Sequence, residues 1–353
     1  MVLVEAMSTS ACVINARFAT QATTGVQRVA AEIESRLTVP KRRVAPKRRL
    51  PGHAAHAWEQ AALPILARGQ LLWSPCNTGP VAVRNQIVTI HDAAAFDHPE
   101  WFSRGFAGLY HALLPRLARR VRRIVTVSCY SRDRLAANFG ISPNRIDVVY
   151  NGVDPIFSPR PRSQTDAVLK TYGIEGSRYF IAVATREPRK NLVLLLQAWA
   201  SIRDRLPLDF RLLLVGKSGA ANVFAGAQPT VPVDERVITT GYVPDGDLPA
   251  LLSGATALIY PSLYEGFGLP LLEAMACGTA VVTTRLTSLP EVAGDDAIYV
   301  DAIDPSDLAR QLLALAGDDD LRNDYAARGP TRAARFSWEA GASRMDDIIR
   351  SCL

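Results

Sequence analysis

Short apolar runs recur along the chain, separated by stretches with helical spacing. Val13-Ile14-Asn15 reads as a first strand, and Gly25 opens a helix whose apolar face runs through Val29, Ile33 and Leu37. Residues 40–56 are basic and contain prolines, so they read as a loop. Residues 70–74 and 86–90 read as strands, and 103–123 as a helix with a basic face. A strand at Ile124 to Val127, a helix at Ser131 to Phe139 and a strand at Ile146 to Tyr150 follow, closed by Asn151-Gly152. Pro155, Pro159 and Pro161 then interrupt the pattern. It restarts with strands at 179–184, 210–215, 237–240, 257–260, 280–283 and 298–300, with helices between them, for instance Leu192 to Arg203 and Leu248 to Leu252. Strands that alternate with helices predict parallel sheets covered on both faces. The fold class expected is α/β, with two Rossmann-like doubly wound domains joined near residue 160 and a ligand cleft between them. The boundaries predicted are 1–160, 161–335 and a terminal amphipathic segment, 336–353.

The chain has 353 residues and is 48% hydrophobic, enough for two cores of ordinary size. Its five cysteines are scattered and form no C-x-x-C pair, which points to a reduced compartment rather than a disulfide scaffold. The N-terminal stretch carries Glu5 and Ser8-Thr9-Ser10 and shows no signal peptide, and no apolar stretch approaches a membrane span. A cytoplasmic protein is therefore expected. The net charge is +6, and the basic residues cluster. Arg42, Arg43, Arg48 and Arg49 crowd one segment, and Arg119, Arg120 and Arg123 another. Such patches attract anions: phosphorylated lipid, an anionic membrane or nucleic acid. A solvated charged face is the alternative for each cluster. No finger or aromatic-interleaved motif accompanies them, so a nucleic-acid partner is not expected.

The most informative stretch is Glu265-Gly266-Phe267-Gly268-Leu269-Pro270-Leu271-Leu272-Glu273. It follows an apolar strand ending at Tyr260-Pro261-Ser262. Pro270 fits the first turn of a helix, and Gly278 fits its end. Strand, glycine turn and helix start form a place for a diphosphate, held by backbone N–H groups at the helix's positive end. The flanking acids are then available for hydroxyl groups on either side.

This stretch resembles the E-x7-E motif of retaining glycosyltransferases of family 4, which have the GT-B fold. Further resemblances lie at Ile90-His91-Asp92, Val127-Ser128 through Ser131, Val149 to Asp154, Glu187-Pro188-Arg189-Lys190-Asn191-Leu192 and Gly241-Tyr242-Val243-Pro244, in the family's order and spacing. The resemblance implies that Glu273 binds the donor's ribose and that Glu265 reaches the transferred sugar. It implies that Lys190, with an arginine, neutralises the leaving diphosphate. Arg186 and Arg189 compete for that place, with Arg186 favoured, and Thr185 would line the same pocket. His91 would contact the donor sugar, Gly25 would let the backbone approach a phosphate or acceptor, and Tyr242 and Val243 would hold the base by backbone bonds. Gly266, Phe267, Gly268 and Leu269 complete the donor site. His91, Lys190 and Glu265 are the expected catalytic set. The last segment would cross back to the first domain, as in other GT-B enzymes.

Similarity to bacterial exopolysaccharide and O-antigen mannosyltransferases implies a GDP-sugar donor, mannose or a deoxyhexose, ahead of a UDP-sugar. The implied acceptor is a glycan or polyprenyl-diphosphate glycan in bacterial surface polysaccharide synthesis. No cofactor and no required metal are expected. Asp245-Gly246-Asp247 has the D-x-D form but sits before Leu248-Pro249 and reads as a helix N-cap. Gly216-Lys217-Ser218 lacks the upstream glycine of a phosphate loop, and Arg211 stands in its place. His53 and His56 lack further ligands.

Overall fold

A computed structural model describes residues 12–21, 24–216, 223–225 and 234–353. Glu5, the Ser8–Ser10 run, Thr23 and the Lys217-Ser218 pair lie outside the described residues. The first half of the chain carries β1 (Cys12–Asn15), α1 (Gly25–Arg36), β2 (Lys41–Val44), α2 (Gly52–Ala67), β3 (Leu72–Ser74), β4 (Gln86–Thr89), α3 (Ala94–Asp97), α4 (Arg104–Arg120), β5 (Arg123–Thr126), α5 (Cys129–Phe139) and β6 (Ile146–Val148). The second carries α6 (Arg162–Thr171), β7 (Arg178–Val183), α7 (Leu192–Ile202), β8 (Phe210–Val215), β9 (Val237–Gly241), α8 (Leu248–Ser253), β10 (Ala257–Tyr260), α9 (Leu269–Ala276), β11 (Val281–Thr284), α10 (Leu289–Ala293), β12 (Ile298–Val300), α11 (Pro305–Gly317), α12 (Asp319–Ala333) and α13 (Trp338–Cys352). The chain divides into two compact units: residues 1–96, 108–152 and 338–353, and residues 97–107 and 153–337.

The first unit holds a six-stranded parallel sheet in the order β2-β1-β3-β4-β5-β6. Its central strands are buried on both faces, which is why they read as unbroken apolar runs. The expected loop at 40–56 is corrected by the structure. Lys41 to Val44 form edge strand β2, and Gly52 starts α2. An edge strand needs only one paired side, and charged side chains there discourage further pairing. Lys41 also closes the end of α1, where its Nζ donates to the Glu34 and Leu37 carbonyl oxygens. The helix predicted from Ser131 begins at Cys129, with Ser128 as its cap: Ser128 Oγ accepts the Ser131 N–H at 3.1 Å.

Helix α13 packs on α1 in this unit. Trp338, Ala342, Met345, Ile349 and Cys352 are buried at helical spacing along one face. Gly341 is required there, because a Cβ would lie 2.8 Å from the Tyr150 carbonyl oxygen and 3.0 Å from Ile33 Cδ1. Asp346 is buried and accepts the backbone N–H groups of Thr38 (2.8 Å) and Val39 (3.2 Å) and the Thr38 hydroxyl. It thereby fixes the chain between α1 and β2.

The second unit repeats the plan with the order β12-β11-β10-β7-β8-β9, again wholly parallel. Phe180, Leu195, Trp199, Phe210, Leu212, Val282, Leu308 and Leu312 fill a core between the sheet and helices α7 and α11. Asp247 occupies the N-cap position of α8, as the sequence suggests, but its carboxylate caps no N–H there. It accepts the Tyr172 hydroxyl at 2.9 Å instead.

Replacing Asp346 with alanine should remove the acceptor of three donors, of which the Val39 N–H is buried. A loss of about 2–4 kcal/mol in unfolding free energy is expected, measured by chemical denaturation. A loss below about 0.5 kcal/mol would show that these bonds do not tie α13 to its unit.

Candidate active site

In the second sheet the winding reverses between β7 and β10. Successive strands after β7 run one way and those after β10 the other. In open parallel sheets, ligands bind beyond the carboxyl ends of the strands at such a point. Two segments emerge there. After β7 the chain passes Thr185, Arg186 and Glu187 into a tight 3₁₀ turn, Pro188–Lys190. After β10 it passes through Pro261 to Gly268 and enters α9.

These segments meet in one buried cluster of charge. Lys190 Nζ lies 2.6 Å from Glu265 Oε1 and donates to the Tyr260 hydroxyl at 2.9 Å. Tyr260 in turn donates to Glu265 Oε1 at 2.7 Å. Arg189 bridges two acids: Nη1 reaches Glu265 Oε2 at 3.1 Å and Nη2 reaches Glu187 Oε1 at 3.0 Å. Thr185 Oγ1 donates to the same Glu187 oxygen at 2.9 Å. Glu187, Lys190, Tyr260 and Glu265 are all buried.

Burial raises the Glu265 carboxyl, but the charges of Lys190 and Arg189 and the bonds from Lys190 and Tyr260 outweigh it and hold the group at about 2. Burial lowers the Lys190 ammonium below the usual lysine range, as does Arg189, while Glu265 and Glu187 pull the other way. The 2.6 Å contact, reinforced by Tyr260, makes this an ion pair at neutral pH. Burial together with the Glu265 charge pushes the Tyr260 hydroxyl well above its ordinary value, so it remains a donor.

The loop between β10 and α9 is held by its neighbours. Ser288 donates to the carbonyl oxygens of Glu265 (2.9 Å) and Phe267 (3.1 Å), and Thr287 Oγ1 accepts the Glu265 N–H (3.1 Å). Thr284 donates to the Ser262 carbonyl, and the Leu263 N–H donates to the Arg189 carbonyl, both at 2.8 Å. Gly268 sits at the start of α9 with φ +105°, a conformation that calls for glycine. Leu269 and Pro270 open the helix, Phe267 packs edge-on against Phe336, and Glu273 is buried one turn in.

The structure thus brings together Thr185, Arg189, Lys190 and Glu265 from the predicted set, with Gly266 to Glu273 continuing from Glu265. Arg186 is half-buried and has no ion pair or hydrogen bond among the described residues. Tyr242 is exposed and Val243 buried, after β9. His91 and Gly25 belong to the first unit. His91 is buried, and its Nε2 lies 2.9 Å from the Pro75 carbonyl oxygen, which places the ring proton on Nε2. Burial lowers its pKa, so the ring is neutral. Asp92 shapes the following turn by accepting the Ala94 N–H. Gly25 is exposed, and a Cβ there would meet nothing within 4 Å, so packing does not demand glycine.

Three of the predicted surface arginines have partners inside the first unit, and Arg42 and Arg43 are exposed all the same. Arg123 shares Asp147 with Arg344, Arg43 pairs with Glu34, and Arg42 donates to the Leu66 carbonyl and Gln70. Arg119 is exposed and reaches the Phe139 carbonyl only at 3.4 Å, while Arg48, Arg49 and Arg120 are exposed. Sequence reasoning missed Tyr260, Glu187, Thr287 and Ser288. Tyr260 left a signal as a polar-tipped residue ending an aliphatic strand, and Glu187 as the first residue of the stretch Glu187 to Leu192 that resembles the family, though without a role. Among the described residues no group of three or more His, Cys, Asp or Glu could hold a metal ion, and no helix is long and apolar enough to cross a membrane. The cysteines are unbridged.

Two parallel doubly wound units, with paired acids and cations at the switch point of the second, define a GT-B glycosyltransferase. Solved structures agree on the fold. The Anabaena Alr3699/HepE structure with UDP and glucose superposes with TM-score 0.75 at 15% identity, covering 97% of this chain and 99% of that one. WaaG, a glycosyltransferase involved in lipopolysaccharide biosynthesis, gives 0.71 at 15% identity, covering 96% and 99%. The family model described as glycosyl transferases group 1 matches residues 177–318, and that of glycosyltransferase family 4 matches residues 73–157. The O-antigen chain mannosyltransferase B of Escherichia coli is 34% identical over 261 residues, 74% of this chain and 68% of the relative. The O-antigen chain mannosyltransferase RfbU of Salmonella typhimurium (strain LT2) is 29% identical, over 63% of this chain and 58% of the relative. The chain belongs to glycosyltransferase family 4 and is a hexosyltransferase, and a retaining outcome is consistent with that family.

The Glu265 carboxyl, lowered from 4.5 to about 2, adds stability that is complete above pH 4.5 and lost as pH falls through 2. The stability difference between the wild type and Glu265→Gln should therefore shrink by on the order of 3 kcal/mol across that window. Parallel pH profiles for the two proteins, measured by thermal and urea unfolding, would remove the ion pair.

Proposed function

We propose that the enzyme transfers mannose, or a related deoxyhexose, from a GDP-sugar to a glycan or polyprenyl-diphosphate-linked acceptor of a bacterial surface polysaccharide. The observation that carries the reading is the buried Lys190–Glu265–Arg189 cluster at the switch point, one loop away from the start of α9. The names of the relatives, two O-antigen mannosyltransferases, support the sugar and the acceptor class. A UDP-sugar is the second reading, favoured by the UDP in the Anabaena structure.

In this reading the start of α9 and Lys190 receive the diphosphate, with Arg186 adding a charge. Glu273 binds the ribose, and Glu265, once Lys190 turns to phosphate, binds the sugar. Tyr242 and Val243 hold the base, and Thr185 lines the pocket. His91 contacts the transferred sugar, and the backbone at Gly25 serves the acceptor or a phosphate. The bond from the anomeric carbon to phosphate breaks as the acceptor oxygen attacks the same face. The acceptor proton passes to the leaving phosphate, so no carboxylate base is needed. Fixed positive charge beside that phosphate lowers the barrier because negative charge develops there. The chemistry requires no metal in this reading. The exposed Arg48, Arg49, Arg119 and Arg120 would favour an anionic inner-membrane surface on the cytoplasmic side.

Lys190→Ala and Glu273→Ala should each lower turnover by at least about a hundredfold, with circular dichroism unchanged. Near-normal transfer by either folded variant would contradict the assignment. GDP-mannose and GDP should raise the melting temperature more than UDP-glucose and UDP, since ligand bound only to the folded state stabilises it. The reverse order would select the UDP reading. Flotation with phosphatidylglycerol vesicles at low salt tests the membrane contact, which absence of binding would remove.

A further inference from the structure

Among the charged residues of the cluster, Glu187 has no role in the reading above, yet it is one of the most deeply buried, at 2% exposure. Its two oxygens are treated very differently. Oε1 receives Arg189 Nη2 and the Thr185 hydroxyl, whereas Oε2 is buried with no hydrogen-bond partner. A buried carboxylate oxygen left unpaired is costly, so its persistence calls for an explanation. The backbone of the same residue closes the turn, since the Lys190 N–H donates to the Glu187 carbonyl at 3.1 Å.

Charge makes the position informative. Lys190 and Arg189 supply two positive charges, and Glu265 and Glu187 supply two negative ones, so the closed cluster is neutral. A neutral cluster attracts a diphosphate weakly. The donor must draw Lys190 away from Glu265, and Glu265 must be released to meet a sugar hydroxyl. Arg189 is then the cation that could follow Glu265 and occupy it. Glu187 prevents this by offering Arg189 a second carboxylate, whose unpaired oxygen completes a two-pronged guanidinium pair when Arg189 leaves Glu265.

We propose that Glu187 is a positioning residue, which anchors Arg189 so that Glu265 is freed for the transferred sugar when the donor's diphosphate takes Lys190. The inference rests on the reading that this cluster receives a nucleotide diphosphate. Glu187 does not touch the reacting atoms. It acts through Arg189 and through the field at Lys190, which is faced by Glu265, Tyr260, Arg189 and Glu187.

The test uses the full chain, with GDP and UDP as binding probes in calorimetry and the transfer assay across pH. Glu187→Gln keeps the volume and removes the charge. Turnover should fall roughly tenfold to a hundredfold, because Arg189 then stays on Glu265. The nucleoside diphosphate should bind several-fold tighter, because the cluster gains a net positive charge. The alkaline limb of kcat/KM should move to lower pH, because a negative charge that supports the Lys190 ammonium is gone. Glu187→Asp keeps the charge but draws the carboxylate back from Arg189. It should restore wild-type nucleotide affinity and limb position with turnover still reduced, and it carries the test should the glutamine variant not fold. Tighter binding in a slower enzyme is not an outcome of simple destabilisation. Glu187→Gln with wild-type or weaker nucleotide affinity, or Glu187→Asp with wild-type turnover, overturns the inference. A wild type that binds neither GDP nor UDP removes the functional reading and this inference together. A wild type that binds, with both variants indistinguishable from it, removes only the role of Glu187.

Discussion

The candidate site in the second unit is organised around a buried ion pair, Lys190 to Glu265. Taking an ammonium and a carboxylate out of water costs several kcal/mol each, and their attraction repays this only when every remaining lone pair and proton is met. Here Tyr260 and Arg189 meet them. The two partners are 75 residues apart in sequence. They meet because β7 and β10 are neighbours in the sheet, and because the chain turns outward from both strands at their carboxyl ends. The topology therefore creates the site, and the ion pair ties together the two segments that the topology brings close.

The loop after β10 shows what that tie requires. Thr287 has φ +56°, a left-handed conformation unfavourable for a β-branched residue. Its hydroxyl accepts the Glu265 N–H, and Ser288 beside it holds the Glu265 and Phe267 carbonyls. A strained threonine persists only where its surroundings insist on it. The loop after β10 is held from β11 as well, whose Thr283 and Thr284 hydroxyls donate to the Tyr260 and Ser262 carbonyl oxygens. The polar residues that follow the buried strands thus form a second layer beneath the charged cluster, anchored to the sheet.

Much of this was legible in the sequence because parallel strands covered on both faces must be apolar. Phe210 to Val215 and Ala257 to Tyr260 were readable to the residue for that reason. Strand β2 was not, because Lys41, Arg42 and Arg43 satisfy it through partners that local sequence does not reveal: the end of α1, Glu34 and the chain near Leu66. The partner of Arg123 was hidden in the same way, since Asp147 lies on the neighbouring strand. Glu265 and Glu273 were legible through a motif with fixed spacing. Glu187 was legible as part of a motif but its contacts were not, because Arg189 joins it to a carboxylate contributed from far along the chain.

The competition between Arg186 and Arg189 follows from the same charge balance. Arg189 already spans two carboxylates, and using it for phosphate would strand one of them in a buried site. Arg186 is half-buried and makes no ion pair among the described residues, so it can serve an anion without breaking an existing pair. In the proposed reading the two arginines, three residues apart, divide the electrostatics between them: Arg186 provides attraction, and Arg189 governs the acid assigned to the sugar. A guanidinium is suited to the second role because its fork can hold two carboxylates at once, which an ammonium cannot do with the same geometry. The orphan oxygen of Glu187 then becomes intelligible as a place kept for Arg189 in a second arrangement of the same four charges.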